Sequence, residues 1–398
     1  MNKSELELRT VKLKKGHDER LQAGHPWIFS NELVEVDAAA EPGCLVKVLL
    51  PDGKTAGTGF FNPKSLIAVR MLKTGPAPLE ADFTERTIER ALEHRRDLGL
   101  SGSFRVFFGE SDGIGGLVLD KYGDTVVAEI LSAGAERLKP EIIKAVKKLL
   151  DPACLYFKNT HVIRELEGLP RYAEAAFGEL PDEAEIEENG LRFLVSLKDG
   201  QKTGWFFDQR ENRAFLAPYF QDRKVLDLYT YTGAFALNAA RAGARMAWGV
   251  DSSQAAIDTA EKNAALNGMA EKVFFRKENA ERLIAAMGSG DLPEKPDFVL
   301  LDPPNLVRNR KNLPQARKLY VKLNASAIAA LPKDGLLATS TCSHHINRET
   351  FVGIIREACG RSRRRVVLLE LRGQAKDHPV LPVMPETEYL HFALLKVF

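Results

Sequence analysis

Residues 224–251 read KVLDLYTYTGAFALNAARAGARMAWGVD, two short apolar segments separated by a turn and an Ala-rich run. The first apolar segment ends near Asp227, the second ends at Asp251, and the turn contains Gly233. The Ala-rich run predicts an amphipathic helix over 234–242. Strand, turn, helix and strand in this order form the unit of a parallel, doubly wound sheet, where ligands lie at the carboxyl ends of the strands. We therefore predict an α/β, Rossmann-like domain with a ligand site at Gly233 and the two acids.

The turn indicates what kind of ligand to expect. It has neither the G-x-G-x-x-G of a dinucleotide site nor the phosphate-binding GxxxxGK[ST]. Asp251 stands where an acid accepts hydrogen bonds from a ribose, and Asp227 could receive the charge of an ammonium group. S-adenosylmethionine has a ribose, an ammonium group and no phosphate. A Rossmann-type sheet with two solvated acids explains this run alone equally well.

Two later runs extend the pattern. Residues 297–305 read DFVLLDPPN and residues 335–343 read GLLATSTCS, so that further strands end at Asp302 and at Cys342. With these runs the chain resembles class I S-adenosylmethionine-dependent methyltransferases, and more closely the bacterial large-subunit rRNA (cytosine-5)-methyltransferase I family. The matching motifs are Gln201–Gly204, Asp208–Asn212, Asp227–Tyr229, Tyr231–Phe235, Asp302–Pro304 and Thr341–Ser343.

The resemblance implies S-adenosylmethionine as cofactor. It places Gln209 and Arg210 at the methionine carboxylate and Asn279 near the adenine, where many relatives have Asp. The amide oxygen of Asn279 can still accept a hydrogen bond. From the residues alone, the same block could be a helix start with Asp208 as N-cap. The predicted cofactor-binding residues are Gln209, Arg210, Asp227, Tyr229, Gly233, Phe235, Asp251, Ser252, Asn279 and Asp302.

Cys342 and Asp302 are the predicted catalytic residues. Cytosine C5 is not nucleophilic by itself, but addition of a thiolate to C6 gives an enamine whose C5 can attack a sulfonium methyl group. Loss of the C5 proton then expels the thiolate. Asp302 would hydrogen-bond the cytosine edge or favour protonation at N3. The structural alternative for Cys342 is a buried residue at a strand end, and no metal is expected.

Two other functions stay open. Enzymes that methylate a base amino group typically place an aromatic residue after the two prolines, to stack on the flipped base. This chain has Asn305 there, and it lacks the second cysteine that many cytosine-5 RNA enzymes carry at the same place. A non-catalytic RNA-binding assembly factor is the alternative from a different class.

Composition limits the class of protein. The chain has 398 residues, 44% hydrophobic and 28% charged, with a net charge of +2, so any nucleic-acid surface must be local. No apolar run reaches membrane-spanning length, and the first residues lack a signal-peptide core. The four cysteines show no metal-ligand spacing. We therefore expect a cytoplasmic protein without a membrane partner. The family resemblance implies large-subunit (23S) rRNA as the substrate, and the sequence leaves a homodimer open.

Three domains are expected. Residues 1–75 alternate as a β-rich module that resembles a PUA domain, in which Trp27 and Phe29 are predicted as core. Residues 76–188 form a central α+β domain, and residues 189–398 form the methyltransferase domain. RNA binding by the first module follows from the resemblance, not from its composition.

Several charged segments receive simpler predictions. A helix over 83–99 is expected to carry its arginines on the surface, and the acidic run 179–188 to be a solvated connector. Arg308, Arg310 and Lys311 could contact RNA phosphates or lie in an ordinary exposed loop. The glycines of the turn after Ser111 are expected to supply positive φ.

Overall fold

The computed structural model describes residues 8–289, 295–307 and 310–398. The chain divides into two compact units. The first unit consists of Met1–Ala184, Val195–Trp205 and Asp377–Thr387, and the second consists of Glu185–Leu194, Phe206–Lys376 and Glu388–Phe398. The predicted boundaries of the three domains stay a prediction.

The first unit begins with a six-stranded sheet, which confirms the predicted β-rich module. Its elements are β1 (Arg9–Leu13), α1 (Glu19–Gln22), β2 (Trp27–Phe29), β3 (Leu33–Val36), β4 (Cys44–Leu49), β5 (Thr55–Phe61) and β6 (Ile67–Thr74). The strand order is β2-β6-β5-β4-β1-β3, with β1 and β4 parallel. Alternating apolar residues of these strands, such as Val11, Val46 and Val48, form the core.

The prediction that Trp27 and Phe29 belong to this core is wrong. Both side chains are half-buried, whereas Ile28 between them is 1% exposed. Successive side chains of a strand point to opposite faces, so only Ile28 can face the core. Trp27 Nε1 instead donates a hydrogen bond to Glu110 Oε1 at 2.8 Å, and the Arg20 guanidinium lies 4.5 Å from the Phe29 ring centroid.

A five-stranded sheet with helices follows in the same unit, which confirms the predicted α+β content. Its elements are α2 (Phe83–Asp97), β7 (Phe104–Phe108), α3 (Gly109–Asp112), β8 (Leu117–Tyr122), β9 (Thr125–Ile130), α4 (Ala133–Arg137), α5 (Lys139–Leu150), β10 (Cys154–Asn159), α6 (Ile163–Leu166) and β11 (Tyr172–Phe177). The strand order is β11-β10-β9-β8-β7. Apolar residues of α2 and α5 pack on this sheet. Gly113 and Gly116 have φ of +100° and +81°, as expected.

Arg95 of α2 corrects the prediction that all arginines of this helix are on the surface. It is fully buried, and its guanidinium donates to both oxygens of Asp112 at 2.6 and 2.7 Å. It also donates to the carbonyl oxygens of Arg105 and Asp377. Arg95 therefore links α2 to β7, to α3 and to the segment that begins at Asp377.

The second unit contains a seven-stranded sheet. Its hairpin β12 (Ala184–Glu188) and β13 (Leu191–Val195) straddles the boundary between the units. The other elements are α7 (Arg210–Phe215), β14 (Lys224–Leu228), α8 (Ala234–Arg241), β15 (Met246–Asp251), α9 (Gln254–Leu266), β16 (Val273–Lys277), α10 (Ala280–Ser289), β17 (Phe298–Leu301), α11 (Leu313–Ala330), β18 (Leu336–Thr341), α12 (Arg348–Ser362), β19 (Val366–Arg372) and β20 (His391–Val397).

The order of this sheet is that of a doubly wound fold. It runs β16-β15-β14-β17-β18-β20-β19, with the first five strands parallel and β20 antiparallel to both of its neighbours. The direction of winding changes at β14, which pairs with β15 on one side and β17 on the other. Ligands of open α/β sheets bind at such a switch point, outside the carboxyl ends of the strands. The predicted Rossmann-like fold is confirmed.

The acidic run 179–188 was expected to be solvated, but one of its carboxylates is buried. Its last residue, Glu188, ends β12 and is 3% exposed. Arg213 donates to its two carboxylate oxygens at 2.5 and 2.9 Å, and Arg210 Nε lies 3.5 Å away. The sequence pattern could not show this pairing, because Arg213 lies on a different element, α7.

No helix among the described residues is both long and apolar enough to cross a bilayer.

We expect Arg95→Ala to destabilise the first unit strongly. The substitution leaves Asp112, whose side chain is 7% exposed, as a buried charge without its cation, a loss of about 3–5 kcal/mol. Urea unfolding followed by circular dichroism measures the effect. The control is Arg96→Ala, an exposed neighbour on the same helix, and equal midpoints for the two variants would contradict the structural role of Arg95.

Candidate functional site

Four predicted site residues lie at one edge of the seven-stranded sheet. Asp227 is near the end of β14, Asp251 ends β15, Asp302 follows β17 and Cys342 follows β18. The register of the parallel strands aligns Leu228 with Val250 and with Leu301. The structure thus brings these residues, which are far apart in sequence, to the edge where ligands bind.

Asp227 is a buried carboxylate whose hydrogen bonds are incomplete. It is 1% exposed, and its Oδ2 accepts from the Thr230 hydroxyl at 2.6 Å and from the Ala236 amide at 3.1 Å. Its Oδ1 is buried and has no hydrogen-bond partner among the described residues. Burial raises the pKa of Asp227 to about 7, and the negative charges of Asp302 and Asp251 add to this rise.

The loop after β14 has an unusual backbone. Tyr229, Tyr231 and Gly233 have φ of +62°, +51° and +87°. For a tyrosine this left-handed conformation is uncommon, and such residues cluster at binding sites. At Gly233 a Cβ atom would lie 2.7 Å from the Phe275 ring, so both the conformation and the space require glycine. Burial raises the pKa of Tyr229 to about 12.

Asp251 holds this loop by its carboxylate. Its Oδ2 accepts from the Tyr231 amide at 3.1 Å, and its Oδ1 accepts from the Ser253 amide at 2.9 Å. Ser253 is the N-cap of α9, and Ser252 is exposed. Asp251 is itself only half-buried, so a ligand can still reach it.

Asn279 and Phe235 complete the predicted cofactor set in different ways. Asn279 is exposed, and its amide oxygen accepts from the Arg282 amide at 2.9 Å in the first turn of α10. Phe235 is 6% exposed in α8, and the Arg213 guanidinium lies 5.7 Å from its ring centroid. Its ring packs inside the domain, and its contact with the cofactor stays a prediction.

Gln209 connects the start of α7 to Asp302. It is 2% exposed, and its Nε2 donates to Asp302 Oδ2 at 3.2 Å while its Oε1 accepts from Asn212 at 2.7 Å. Arg210 lies over the Phe207 ring, 5.0 Å from the centroid.

Asp208 is not the N-cap that the residues alone allowed. The N-cap of α7 is Gln209, and it makes no side-chain cap. Asp208 is buried instead, and its Oδ2 accepts from the Tyr389 hydroxyl at 2.6 Å. Its carbonyl oxygen also accepts from the Ala375 amide at 2.8 Å. Asp208 therefore ties the start of α7 to the C-terminal part of the chain.

Asp302 and Cys342 have polar neighbours that the sequence did not indicate. The Ser340 hydroxyl donates to Asp302 Oδ1, and the Thr341 hydroxyl donates to the Tyr320 hydroxyl at 3.0 Å. Burial raises the pKa of Tyr320, and the neighbouring Cys342 adds to this rise. Tyr320 lies within α11, where no motif marks it.

The other three cysteines differ from Cys342. Burial raises the pKa of the Cys44, Cys154 and Cys359 thiols, which favours their neutral, unreactive form. Cys342 is half-buried, as Cys44 and Cys359 are, and differs from them in its position at the end of β18. The geometry is thus consistent with a packing role for the first three.

The loop after Asp302 is described in part. Asn305 is exposed and its Oδ1 accepts from the Val307 amide at 2.9 Å. Arg310 and Lys311 are exposed in a short 3₁₀ turn, whereas Arg308 lies outside the described residues. No group of His, Cys, Asp or Glu side chains within the described part of the chain could hold a metal ion.

Known proteins match both units. Residues 11–74 match the PUA-like domain, and residues 136–342 match the S-adenosylmethionine-dependent methyltransferase family. Ribosomal RNA large subunit methyltransferase I of Cronobacter sakazakii is 34% identical over 385 residues, covering 95% of this chain and 96% of the relative. Its counterpart in Shewanella denitrificans is 34% identical over 397 residues, covering 98% of this chain and 99% of the relative.

A solved structure has a similar fold. SMU.776 complexed with SAH superimposes with a TM-score of 0.85 at 21% identity, covering 98% of this chain and 100% of that one.

The buried carboxylate of Asp227 gives a pH-dependent stability. A pKa of about 7 in the folded state, above the ordinary value of 3.8, means that the folded protein loses stability as the pH rises from about 4 to 7. Asp227→Asn removes this loss, so we expect the variant to melt at a higher temperature than the unsubstituted protein at pH 8, with a smaller difference at pH 5. Thermal melts without ligand measure it.

The control is Asp258→Asn, an exposed aspartate on α9. It should melt like the unsubstituted protein at both pH values. An Asp227→Asn variant that is destabilised equally at pH 5 and pH 8 would contradict a raised pKa of Asp227 in the folded protein.

Proposed function

The chain belongs to the ribosomal RNA large subunit methyltransferase I family, and on that premise we propose that it forms 5-methylcytosine in 23S rRNA through a covalent bond between Cys342 and cytosine C6. The family makes it an S-adenosylmethionine-dependent rRNA methyltransferase. The choice of C5 and the covalent step are our proposal. The observation that carries it is Cys342 at the end of β18, on the same sheet edge as Asp302 and Asp227.

The residues present fit the cofactor. An ammonium group needs a buried acceptor, and Asp227 Oδ1 is one that no described residue satisfies. Asp251 offers a half-buried carboxylate to a ribose, and Arg210 offers a cation to a carboxylate. We assign the remaining contacts to Gln209, Tyr229, Gly233, Phe235, Ser252, Asn279 and Asp302. The capping bond of Asn279 leaves one lone pair of its amide oxygen for the adenine.

The cofactor and the protein supply different reacting groups. The bound cofactor supplies an electrophilic methyl group. The Cys342 thiolate adds to C6 of the cytosine and so makes C5 nucleophilic. Once C5 carries the methyl group, loss of the C5 proton to a base restores the ring double bond and expels the thiolate. The target base must leave its stack to reach the thiol.

Asp302 is the residue that would orient the cytosine. Its two oxygens are held by the Ser340 hydroxyl and by Gln209 Nε2. Each carboxylate oxygen has a second lone pair, so Asp302 can still accept from the amino group or from a protonated N3. Gln209 and Ser340 therefore act as positioning residues.

Methylation of a base amino group is the less favoured alternative. It needs an aromatic residue where this chain has Asn305, whose side chain is bonded to its own loop. A purely RNA-binding role would leave the buried, unsatisfied Asp227 without a purpose.

Cofactor affinity should depend on pH through Asp227. An ammonium group binds the ionised carboxylate, so below the pKa of about 7 binding must first expel a proton. We expect the dissociation constant to rise about tenfold for each pH unit below 7. Calorimetric titration with S-adenosylmethionine at pH 5.5–7.5 measures it. Methylthioadenosine, which lacks the amino-acid group, is the matched ligand and should bind with little pH dependence. An equal slope for both ligands would remove Asp227 from the ammonium site.

Cys342→Ala should abolish methylation while cofactor affinity is kept. The assay uses tritiated S-adenosylmethionine, 23S rRNA and chromatography of the digested nucleosides, in which the label should elute as 5-methylcytidine. RNA that contains 5-fluorocytosine should also remain covalently bound to the protein. The thiolate is expelled only when the C5 substituent leaves as a cation, which hydrogen can do and fluorine cannot.

Cys359→Ala, another thiol of the second unit, is the control and should methylate and trap RNA normally. Label in a methylated guanosine or adenosine would move the enzyme to the amino-methylating class. Residual 5-methylcytidine in Cys342→Ala would refute the covalent step.

A further inference from the structure

The first unit contains a cavity of about 500 Å³ that the proposed chemistry does not use. It is lined by residues 24–26, the end of β6, the first two turns of α2, Glu110, Leu381 and Val383. All of these segments belong to the first unit. The volume lies within the range of pockets that bind small ligands.

One wall of the cavity is apolar. It is formed by Leu21, Met71, Phe83 and Val383, of which Leu21 and Met71 are 8% exposed and Phe83 is half-buried at the start of α2. Val383 is 45% exposed and lies at the mouth. Such a slot suits a flat, weakly hydrated group such as a nucleobase.

Two polar side chains of the cavity, His25 and Glu110, make hydrogen bonds that fix which of their atoms donate and which accept. His25 is 4% exposed, and its Nδ1 accepts from the Trp27 amide at 3.1 Å, so in the neutral ring the proton is on Nε2, which lies 3.4 Å from Glu386 Oε2. Glu110 Oε1 accepts from Trp27 Nε1 at 2.8 Å. Arg70 Nε lies 3.7 Å from the same oxygen, and no described residue donates a hydrogen bond to Glu110 Oε2. The cavity therefore offers a carboxylate oxygen to a ligand that carries N–H donors.

The mouth of the cavity is cationic. Arg86 and Arg90 are exposed and four residues apart on α2, on the same helical face as Phe83 and Thr87. Neither arginine forms an ion pair with a described residue, although Arg86 adds to the lowering of the Glu80 pKa that the hydrogen bond from Lys73 mainly causes. Like charges four residues apart repel each other. Lys73 also lines the mouth, but its ammonium is 2.6 Å from Glu80 and is neutralised. A bound anion would relieve the repulsion between the two arginines.

We propose that this cavity binds one unstacked guanine nucleotide of the RNA substrate. The base lies against Met71, Phe83 and Val383, its N–H edge faces Glu110, and its phosphate is held by Arg86 and Arg90. Guanine is the base that presents two adjacent N–H donors to one carboxylate. The inference takes from the proposed function only that the substrate is RNA.

The test uses the full-length protein, GMP and a fluorescein-labelled, guanine-containing 12-mer RNA without secondary structure. We expect GMP to bind saturably and to compete with the RNA. The double variant Arg86→Ala/Arg90→Ala should weaken both affinities about tenfold. Arg96→Ala removes an equally exposed charge from the same helix outside the cavity and should leave both affinities unchanged. Glu110→Gln should weaken GMP more than UMP.

A second variant does not depend on charge. Val383→Trp fills the mouth from an exposed position and should exclude GMP without changing the melting temperature. GMP binding that is saturable but does not compete with RNA would assign the cavity to a free nucleotide and overturn its role in RNA binding. Unchanged affinities in both variants would overturn the site itself.

The same samples are assayed for methylation with saturating RNA. Loss of RNA affinity in Arg86→Ala/Arg90→Ala, with normal 5-methylcytidine formation at saturation, supports the cavity. An unsubstituted protein that binds RNA but forms no 5-methylcytidine would refute the proposed product, and the cavity would still be judged by the binding data.

Discussion

The parallel pairing of β14 with both β15 and β17 is the constraint on which the candidate site depends. Parallel strands of one sheet end at the same edge, and each crossover returns the chain so that the next strand also ends there. This geometry gathers Asp227, Asp251, Asp302 and Cys342. The left-handed backbone at Tyr229 and Tyr231 then turns the chain directly above β14, where Gly233 allows close approach to Phe275.

The buried carboxylates of this chain differ in whether a cation is bonded to them. Asp112 and Glu188 each receive two hydrogen bonds from a buried arginine, so desolvation is offset by pairing. Asp227 receives its hydrogen bonds from a hydroxyl and an amide, and none from a cation. Burial without a cation raises its pKa to about 7, and its second oxygen has no hydrogen-bond partner among the described residues. A strongly shifted group in a strand-end site of this kind is typical of a functional residue.

The thiols differ in position rather than in exposure. Cys342, like Cys44 and Cys359, is half-buried, but it alone follows a strand of the seven-stranded sheet, between Thr341 and Ser343. Asp302 lies at the end of the neighbouring strand, where Ser340 and Gln209 fix its orientation. The proposed nucleophile and the proposed base-orienting acid therefore lie at one edge of the sheet, and precise positioning of a substrate requires such an arrangement.

The sequence by itself determined the doubly wound domain, the β-rich module and the residues at the strand ends, because these depend on local periodicity and on motifs contiguous in the chain. It could not place Trp27, since a three-residue strand has too little alternation to show which side faces the core. It also could not find Arg95 with Asp112, Arg213 with Glu188, or Tyr320 beside Cys342. Those pairs join different elements, so only the tertiary structure brings their atoms within hydrogen-bonding or electrostatic range and decides which charges are buried.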